Sequence, residues 1–321
     1  MQKNLKDINT VSYNYEALHK KAGLAQIWTI FKNDLLSNTL SLLLAFIIFG
    51  LFIFFVLGIV FDSIFGADLA MSSVLFYVLF IAVFLVFAFF YSYSFIHKLV
   101  SKFKMSQFAK ANNIGFVSTQ DLSAYSGLIF NEGRNKIINY AYLFNDKYNS
   151  EIGSYSYTSG YGKNSRTFTY SYIVFDLPRN VPHMLLDSKA NNIMGLLSNL
   201  PVGFASNQKI SLEGNFNDYF TLYAPRDYEK DALYIFTPDV MQAVIQNAKL
   251  YDIEIISNKL YVYSQSKFNL EDNDEIERLL KIINILARQF YDQTNYYADE
   301  SIGNRAANIV NTKGRRLKRY I

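Results

Sequence analysis

The side chains best suited to acid–base or metal chemistry are few in this chain. Its three histidines are His19, His97 and His183, and it contains no cysteine. Zinc sites need several His, Cys or carboxylate ligands at short, regular spacings, and the motif HExxH does not occur. We therefore expect neither a metal nor a cofactor.

His183 is the histidine within the predicted globular part. It lies in the segment LPRNVPHMLLD, where two prolines favour a turn, and the nearest acids in sequence are Asp176 and Asp187. A general base also needs a carboxylate partner, whose position the sequence does not reveal. No GxSxG elbow, dinucleotide-binding fingerprint or kinase signature is present. We favour a protein without enzymatic activity, although catalytic residues from distant positions would escape this search.

Aromatic and small hydroxyl residues alternate on both sides of a glycine-rich centre between Ser154 and Pro178. A period of two places five aromatic side chains along one face of a β-hairpin: Tyr155, Tyr157, Phe168, Tyr170 and Tyr172. This face either packs on a core or forms a stacking platform for a nucleic acid or a sugar. We favour the core because the cations at the tip are only Lys163 and Arg166. The tip GYGKNS also lacks the spacing of a phosphate-binding loop.

The segment 107–303 reads as a mixed, strand-rich α+β domain. We predict strands at 114–117, 127–130, 136–143, 209–225, 231–238, 253–257 and 259–264, the last two joined by a tight turn at Asn258. We predict two helices in the C-terminal half. One has Thr237 as its N-cap and Pro238 as its first residue, and the other carries an apolar stripe from Ile276 to Phe290.

Two long runs without ionisable residues precede this domain. Asp34 and Asp62 are separated by 27 such residues, and Asp68 and His97 by 28. About 20 apolar residues suffice for a helix to cross a bilayer. We predict transmembrane helix 1 at 39–61, a short extracytoplasmic loop at 62–68 and transmembrane helix 2 at 69–96. The predicted fold class is therefore membrane-anchored α+β, with a two-helix transmembrane hairpin.

Lysines flank the two runs and are absent from the loop between them. By the positive-inside rule, this predicts a multi-pass protein of the plasma (inner) membrane with both termini cytoplasmic. Segment 1–38 is predicted to include an amphipathic approach helix, which lies on the membrane or packs on the domain. The residues predicted at the membrane interface are Trp28, Tyr91, Tyr93, Lys98, Lys102 and Lys104.

Charge is divided unevenly between the domain and the tail. Residues 111–303 carry 16 Lys and Arg against 22 Asp and Glu, a net of −6, whereas the tail 304–321 carries six basic residues and no acid. We expect the tail to contact anionic lipid, with nucleic acid binding and an unordered solubilising terminus as alternatives. The tail residues for this contact are Lys313, Arg315, Arg316, Lys318 and Arg319.

One part of the domain resembles a known group of proteins. The stretch EGNFNDYFTLYAPRDYEKDALYIFTPDVMQAVI, from Glu213 to Ile245, is followed by a strand pair and an amphipathic helix. It resembles the C-terminal half of uncharacterised bacterial membrane proteins, in which two hydrophobic spans precede a cytosolic domain of unknown function. The resemblance covers 209–299 and the two-span layout. It implies a bacterial inner membrane and supplies no catalytic residues.

These observations predict an integral membrane protein that presents its α+β domain for binding, scaffolding or sensing at the inner membrane face. The expected partners are the lipid bilayer and an unidentified protein, and nucleic acid is not expected. One alternative is a membrane-tethered enzyme. Another is an oligomeric channel or transporter component, with Ser72, Ser73 and Tyr77 facing a shared axis, although no ionisable residue lies within either span to support transport.

Overall fold

The structure, a computed structural model, describes residues 12–23, 25–26, 28–29, 32, 48–50, 52–53, 55–56, 58–60, 71–117, 125–192, 198–200 and 208–298. The chain divides into two compact units. The first unit consists of residues 1–15 and 108–321, and the second of residues 16–107. The sheet described below belongs to the first unit, which is therefore the place to look for a functional site.

Helix α1 is the longest helix in the described part of the chain. It runs from Met71 to Ala111. It therefore continues for 15 residues beyond Ile96, where the predicted second span ends, and it includes Lys98 and Lys102. Within the described residues, no helix is at once long enough and apolar enough to cross a membrane.

This finding corrects the predicted two-helix transmembrane hairpin. The membrane-anchored fold class, the description as an integral membrane protein and the placement in a plasma membrane with cytoplasmic termini were wrong on the same ground. The prediction relied on the absence of charge in two runs, whereas a crossing needs a helix with sufficient length and sufficient apolar character together, and no described helix has both. The channel alternative depended on the same spans. Most of the predicted first span at 39–61, and all of the loop at 62–68, lie outside the described residues.

The first unit contains, among its described residues, an antiparallel sheet of seven strands. The strands are β1 Gly115–Val117, β2 Arg134–Leu143, β3 Glu151–Ser159, β4 Arg166–Ser188, β5 Lys209–Ile210, β6 Phe220–Tyr223 and β7 Asp252–Ser264. Their order is β1-β2-β3-β4-β6-β5, and β7 also pairs with β4. Strand β4 has 23 residues. Its first part pairs with β3, its last four residues pair with β6, and β7 pairs with both parts.

The predicted β-hairpin is confirmed as β3 and β4. Tyr155 lies opposite Tyr170, and Tyr157 lies opposite Phe168. Four of its five aromatic side chains are buried: Tyr155, Tyr157, Tyr170 and Tyr172. The interpretation of this stripe as core is thus confirmed, because a stacking platform would need open ring faces.

Five α-helices lie in the described residues that follow α1. They are α2 Leu128–Asn131, α3 Phe216–Tyr219, α4 Glu229–Ile235, α5 Pro238–Ala248 and α6 Asn273–Thr294. Both predicted C-terminal helices are confirmed as α5 and α6. The Thr237 side chain accepts a hydrogen bond from the Val240 N–H, as an N-cap should. Ile276 and Phe290, at the ends of the predicted stripe on α6, are both fully buried.

Two predicted strands are helices in the structure. Residues 127–130 enter α2, and most of 231–238 belongs to α4. Both segments are short apolar runs, for which side-chain periodicity does not separate a strand from a buried helical turn. The hydrophobic contacts of the folded unit decide between them.

The predicted tight turn at Asn258 was also wrong. Strand β7 continues through this point, with Ser257 at a φ of 56°. The pairing of β4 with β7 shifts its register between Asp176 and Val181 and again between Val181 and Met184. The extra residues of this β-bulge lie on β4, and β7 passes it at Ser257 and Asn258 without ending.

Candidate functional site

The residues predicted at a membrane interface do not form one described site. Trp28 is exposed, and the Lys32 ammonium lies 5.7 Å from the centre of its ring. On α1, Tyr93 and Lys98 are exposed, whereas Lys102 and Lys104 are half-buried. The side chain of Tyr91 and the tail residues Lys313, Arg315, Arg316, Lys318 and Arg319 lie outside the described residues. Without a described membrane-crossing helix, the interface role of these side chains has no structural support.

His183 lies on β4, where it meets an acid that the sequence analysis did not find. Its Nε2 is 2.6 Å from Oε1 of Glu254 on β7. The other carboxylate oxygen, Oε2, accepts hydrogen bonds from the backbone N–H of Leu128 at 2.7 Å and from the Tyr263 hydroxyl at 2.6 Å. We call these four residues the Glu254 network. A sequence signal for it does exist, because Glu254 is the single charge within the apolar run IEII.

The Glu254 network has the composition of a general base but not its accessibility. A carboxylate that orients an imidazole is a recurring arrangement in acid–base catalysis. Here the two side chains are only 1% and 0% exposed, and both oxygens of Glu254 already have partners. The network therefore ties α2 and β4 to β7, and it is best explained as structural.

Glu151 forms a second satisfied carboxylate centre at the start of β3. The Tyr125 hydroxyl donates to its Oε1 at 2.7 Å, and the Tyr172 hydroxyl donates to the same oxygen. Burial raises the pKa of Glu151, while the two hydroxyls lower it. Burial also raises the pKa of Tyr125 and of Tyr172, and the Glu151 charge adds to both shifts. The two rings belong to a buried aromatic core with Phe130 at its centre. The centre of the Phe130 ring lies 5.2 Å from the centre of the Tyr172 ring and 4.7 Å from the centre of the Tyr125 ring.

A third group of polar side chains lies where β4 ends and β7 begins. Asp187 and Asp252 occupy the positions that follow the Leu186–Ile253 pair in the register of the two strands. Both carboxylates are buried. Burial raises the pKa of Asp252 to about 8, and the nearby charge of Asp187 adds to the shift. We call the following residues the Asp252 cluster: Asp187, Asp252, Asn191, Asn192 and Asn199.

The hydrogen-bond donors to the two carboxylates are a backbone N–H, an amide side chain and a serine hydroxyl. The Ser188 N–H donates to Asp252 Oδ1 at 2.8 Å, and Asn191 Nδ2 donates to Asp252 Oδ2 at 3.0 Å. The Ser198 hydroxyl donates to Asp187 Oδ1 at 2.7 Å. Sequence reasoning named Asp187 only as a neighbour of His183, and it missed Asp252 because the pairing of the two acids depends on the strand register.

The tip of the β3–β4 hairpin is an exposed and positively charged surface. Tyr161 is 81% exposed, and the guanidinium carbon of Arg134 lies 4.7 Å from the centre of its ring. Lys163 and Arg166 are exposed beside it. A side chain at Gly160, which has a φ of 83°, would collide with the Asn164 carbonyl. We call Arg134, Tyr161, Lys163 and Arg166 the basic tip.

No group of three or more His, Cys, Asp or Glu side chains is arranged to hold a metal ion within the described ranges. The Asp252 cluster combines two carboxylates with three amide side chains, and amide oxygens are also ligands for hard cations.

Comparison with known proteins does not identify a family. No protein-family model matches the chain, and no curated protein matches it. Among solved structures, the crystal structure of the mycobacterial trehalose monomycolate transport factor A, TtfA, is similar, with a TM-score of 0.40 and 10% sequence identity. The alignment covers 60% of this chain and 94% of that chain. A similarity of this degree carries no argument about function. The resemblance to uncharacterised bacterial membrane proteins stays a prediction.

Proposed function

We propose that this chain is a binding protein whose first unit holds an acidic segment of a protein partner at the basic tip. The observation that carries the proposal is a cation–π contact between the guanidinium of Arg134 and the exposed ring of Tyr161. Tyrosine and arginine are enriched among the residues that contribute most to protein interfaces. Their joint exposure at the end of a hairpin supports a role in binding.

The charge pattern supports an acidic partner. Residues 133–145 and 152–175 cover β2, β3 after its first residue, the tip and the first part of β4, and they contain no Asp or Glu, whereas 111–303 as a whole have a net charge of −6. The basic tip is thus a local exception within the acidic segment 111–303. Complementary charge speeds association and disfavours partners of the wrong sign.

The tip is held in shape before any partner arrives. Strands β3 and β4 pair in unbroken register from Glu151–Val174 to Ser159–Arg166. The Tyr157 and Phe168 rings stack at 5.4 Å below the tip. A rigid hairpin loses less conformational entropy on binding than a flexible loop does.

Catalysis has less support than binding. The His183–Glu254 pair is only 1% and 0% exposed, so a substrate has no route to it in this conformation. The described acids that resemble catalytic pairs, Asp187 with Asp252, are buried as well. Neither of these two pairs is accessible, so neither supports the enzyme alternative.

The proposal is tested with the full chain and defined probes. The first probe is a fluorescent peptide rich in Asp and Glu with one leucine anchor, and its partner probe replaces each acid by the matching amide. We expect the acidic peptide to bind in a salt-dependent manner and the amide peptide to bind about tenfold or more weakly. A single-stranded oligonucleotide serves as the third probe, and its preferential binding would replace the protein partner by nucleic acid.

Two charge-reversed variants locate the binding surface. Lys163→Glu with Arg166→Glu alters the basic tip, and Lys230→Glu with Lys249→Glu makes the same charge change at exposed positions elsewhere in the first unit. We expect the tip variant to lose about tenfold or more in affinity, with the control variant losing far less. Equal losses in both would show that net charge, and not the tip, attracts the peptide. Tyr161→Ala then measures the share of the aromatic ring.

A further inference from the structure

Two buried acids and three amide side chains meet at the junction of β4 and β7. Asp187 and Asp252 approach from the two strands, and Asn191 Nδ2 donates a hydrogen bond to the Asp252 carboxylate. The Asn199 amide lies close enough to lower the pKa of Asp252, and the Asn192 amide lies close enough to lower the pKa of Asp187. The Asp252 cluster is therefore a connected group of oxygen-bearing side chains, built from residues that the proposed binding surface does not include.

The amide oxygens of this cluster receive no hydrogen bond from the residues that the structure describes. Oδ1 of Asn191, of Asn192 and of Asn199 is buried and has no hydrogen-bond partner among the described residues. Asn199 is only 6% exposed, so bulk water does not supply the missing donor. Buried polar atoms are paired in the great majority of native structures, and exceptions call for an explanation such as a bound ion.

Positive charge is scarce around the two acids. Within the described part of the chain, the cation that acts on the pair is Lys209, which reaches Asp187 through space without an ion pair of its own to it. Two carboxylates that face each other in a buried place are stabilised by protons or by a cation between them. The cluster therefore provides the two carboxylates of such a site, and no described cationic side chain forms an ion pair with them.

The donor set matches the requirements of a hard divalent cation. Ca²⁺ takes about six to eight oxygen ligands from carboxylates, amide side chains, backbone carbonyls and water. The cluster holds four carboxylate oxygens and three amide oxygens, and it contains neither His nor Cys, which zinc prefers.

Ligation would need only a small rearrangement of the amides. The Asn191 amide now turns its nitrogen towards Asp252 Oδ2, and a half-turn about its terminal bond would put the oxygen in the same place. The oxygen has no hydrogen bond to lose in this movement. The bond lost by the nitrogen would be replaced by a bond from the oxygen to the cation.

We infer that the Asp252 cluster binds a divalent cation of the Ca²⁺ class. The five side chains would close around the ion at the end of the sheet, and the Ser188 N–H would keep Asp252 oriented towards it. This assignment is independent of the basic tip and holds whether or not that surface binds a protein.

The experiment uses the full chain after treatment with EDTA, and terbium(III) serves as a luminescent substitute for Ca²⁺. Tyrosines sensitise bound terbium at short range, and the Tyr170 hydroxyl lies 3.1 Å from the backbone carbonyl of Asn199, next to the cluster. We expect saturable, tyrosine-sensitised emission that CaCl₂ displaces and that MgCl₂ displaces at much higher concentration. A melting temperature that rises with CaCl₂ provides a second readout on the same sample. No saturable emission, or emission that CaCl₂ does not displace, would overturn the assignment.

Substitutions in the Asp252 cluster test whether the bound ion lies there. Asp252→Asn and Asn199→Leu are each expected to weaken terbium binding by about tenfold or more. Asp146→Asn is the matched control, because Asp146 is a buried acid that receives its hydrogen bonds from Tyr148 and Ser150, outside the cluster. Circular dichroism checks that each variant folds, and Asn199→Leu carries the test if Asp252→Asn does not. Equal affinity in the wild type and in folded cluster variants would locate the ion elsewhere and contradict the inference.

Discussion

Glu254 and Asp252 lie two residues apart on β7. Both carboxylates are buried, but their surroundings differ. The alternation of β7 places both side chains on the same face of the sheet. Both are fully buried. Glu254 is surrounded by donors from His183, Leu128 and Tyr263, whereas the amide oxygens around Asp252 have no donor within the described part of the chain. A buried carboxylate is thus evidence of function only when its surroundings are incomplete.

The strongest test of this contrast uses alkali, because the side with Glu254 is lined with tyrosines. Burial raises the pKa of Tyr261 to about 12 from the ordinary value of 10.0. The folded state therefore keeps a proton that the unfolded state loses, so the free energy of unfolding falls as the pH rises from 10 towards 12. Tyr261 contributes about 3 kcal/mol to this loss. Burial also raises the pKa of Tyr172 and of Tyr263, so these residues add to the loss in the free energy of unfolding. The total loss should exceed that caused by any single substitution described below.

Absorbance of tyrosinate and far-ultraviolet circular dichroism, followed together against pH, check this prediction. The buried tyrosines should ionise in one step with the loss of secondary structure. Ionisation of all the tyrosines near pH 10 in a chain that keeps its secondary structure would mean that water reaches the aromatic core, and the contrast between the two acids would lose its basis.

Removal of the Glu254 carboxylate has the next largest expected effect. Glu254→Met keeps most of the side-chain volume but leaves His183, the Leu128 N–H and the Tyr263 hydroxyl without their acceptor. We expect the free energy of unfolding to fall by about 4 kcal/mol, measured by urea denaturation. Glu277→Met at an exposed position of α6 is the control and should change it by less than about 0.5 kcal/mol. A small loss in Glu254→Met would show that these donors readily find other acceptors.

Two tyrosine hydroxyls in the aromatic core give opposite predictions. Tyr172→Phe removes a donor to the Glu151 carboxylate and should lower the free energy of unfolding by about 2 kcal/mol. Tyr155→Phe removes a buried hydroxyl that has no hydrogen-bond partner among the described residues and should raise it by about 1 kcal/mol. Urea denaturation of the two variants in parallel decides the matter. Changes of the same sign would mean that ring packing outweighs the hydrogen bonds.

The smallest expected effect concerns the Asp252 cluster. Ser198→Ala removes the hydroxyl that donates to Asp187, and Ser198 is itself only half-buried. In buffer with EDTA we expect the free energy of unfolding to fall by about 0.5 to 1 kcal/mol, as measured by thermal denaturation. A loss as large as that in Glu254→Met would place the two acids in the same structural class and remove the contrast between them.

Local patterns in the sequence predicted the elements that local chemistry controls. The alternation from Ser154 to Tyr172 sufficed for the β3–β4 hairpin, and Thr237 with Pro238 marked the start of α5. The stripe of α6 followed from the helical period. The short helices α2 and α4 did not follow, because their few apolar residues fit either secondary structure and only their packing decides.

The sites depend on sheet pairing, which the sequence does not display. Glu254 is 71 residues from His183, and the register of β7 against β4 determines that they meet. The same register joins Asp187 to Asp252. The transmembrane prediction was made from runs of residues without charge, and no described helix combines the length and the apolar character that a crossing requires.

The bulge in β4 separates the sheet into two parts that can exchange amide hydrogens at different rates. Pro178 and Pro182 lie where the register with β7 shifts, and neither has an amide hydrogen to donate. On either side of this gap β4 is paired with two strands, with β3 and β7 before it and with β6 and β7 after it. The regular pairing of β4 with β7 is thus interrupted near the middle of β4. Rearrangement of the amides around Asp252 need not loosen the tyrosine-lined part of the sheet, so the exchange protection of the two parts should respond to a bound ion separately.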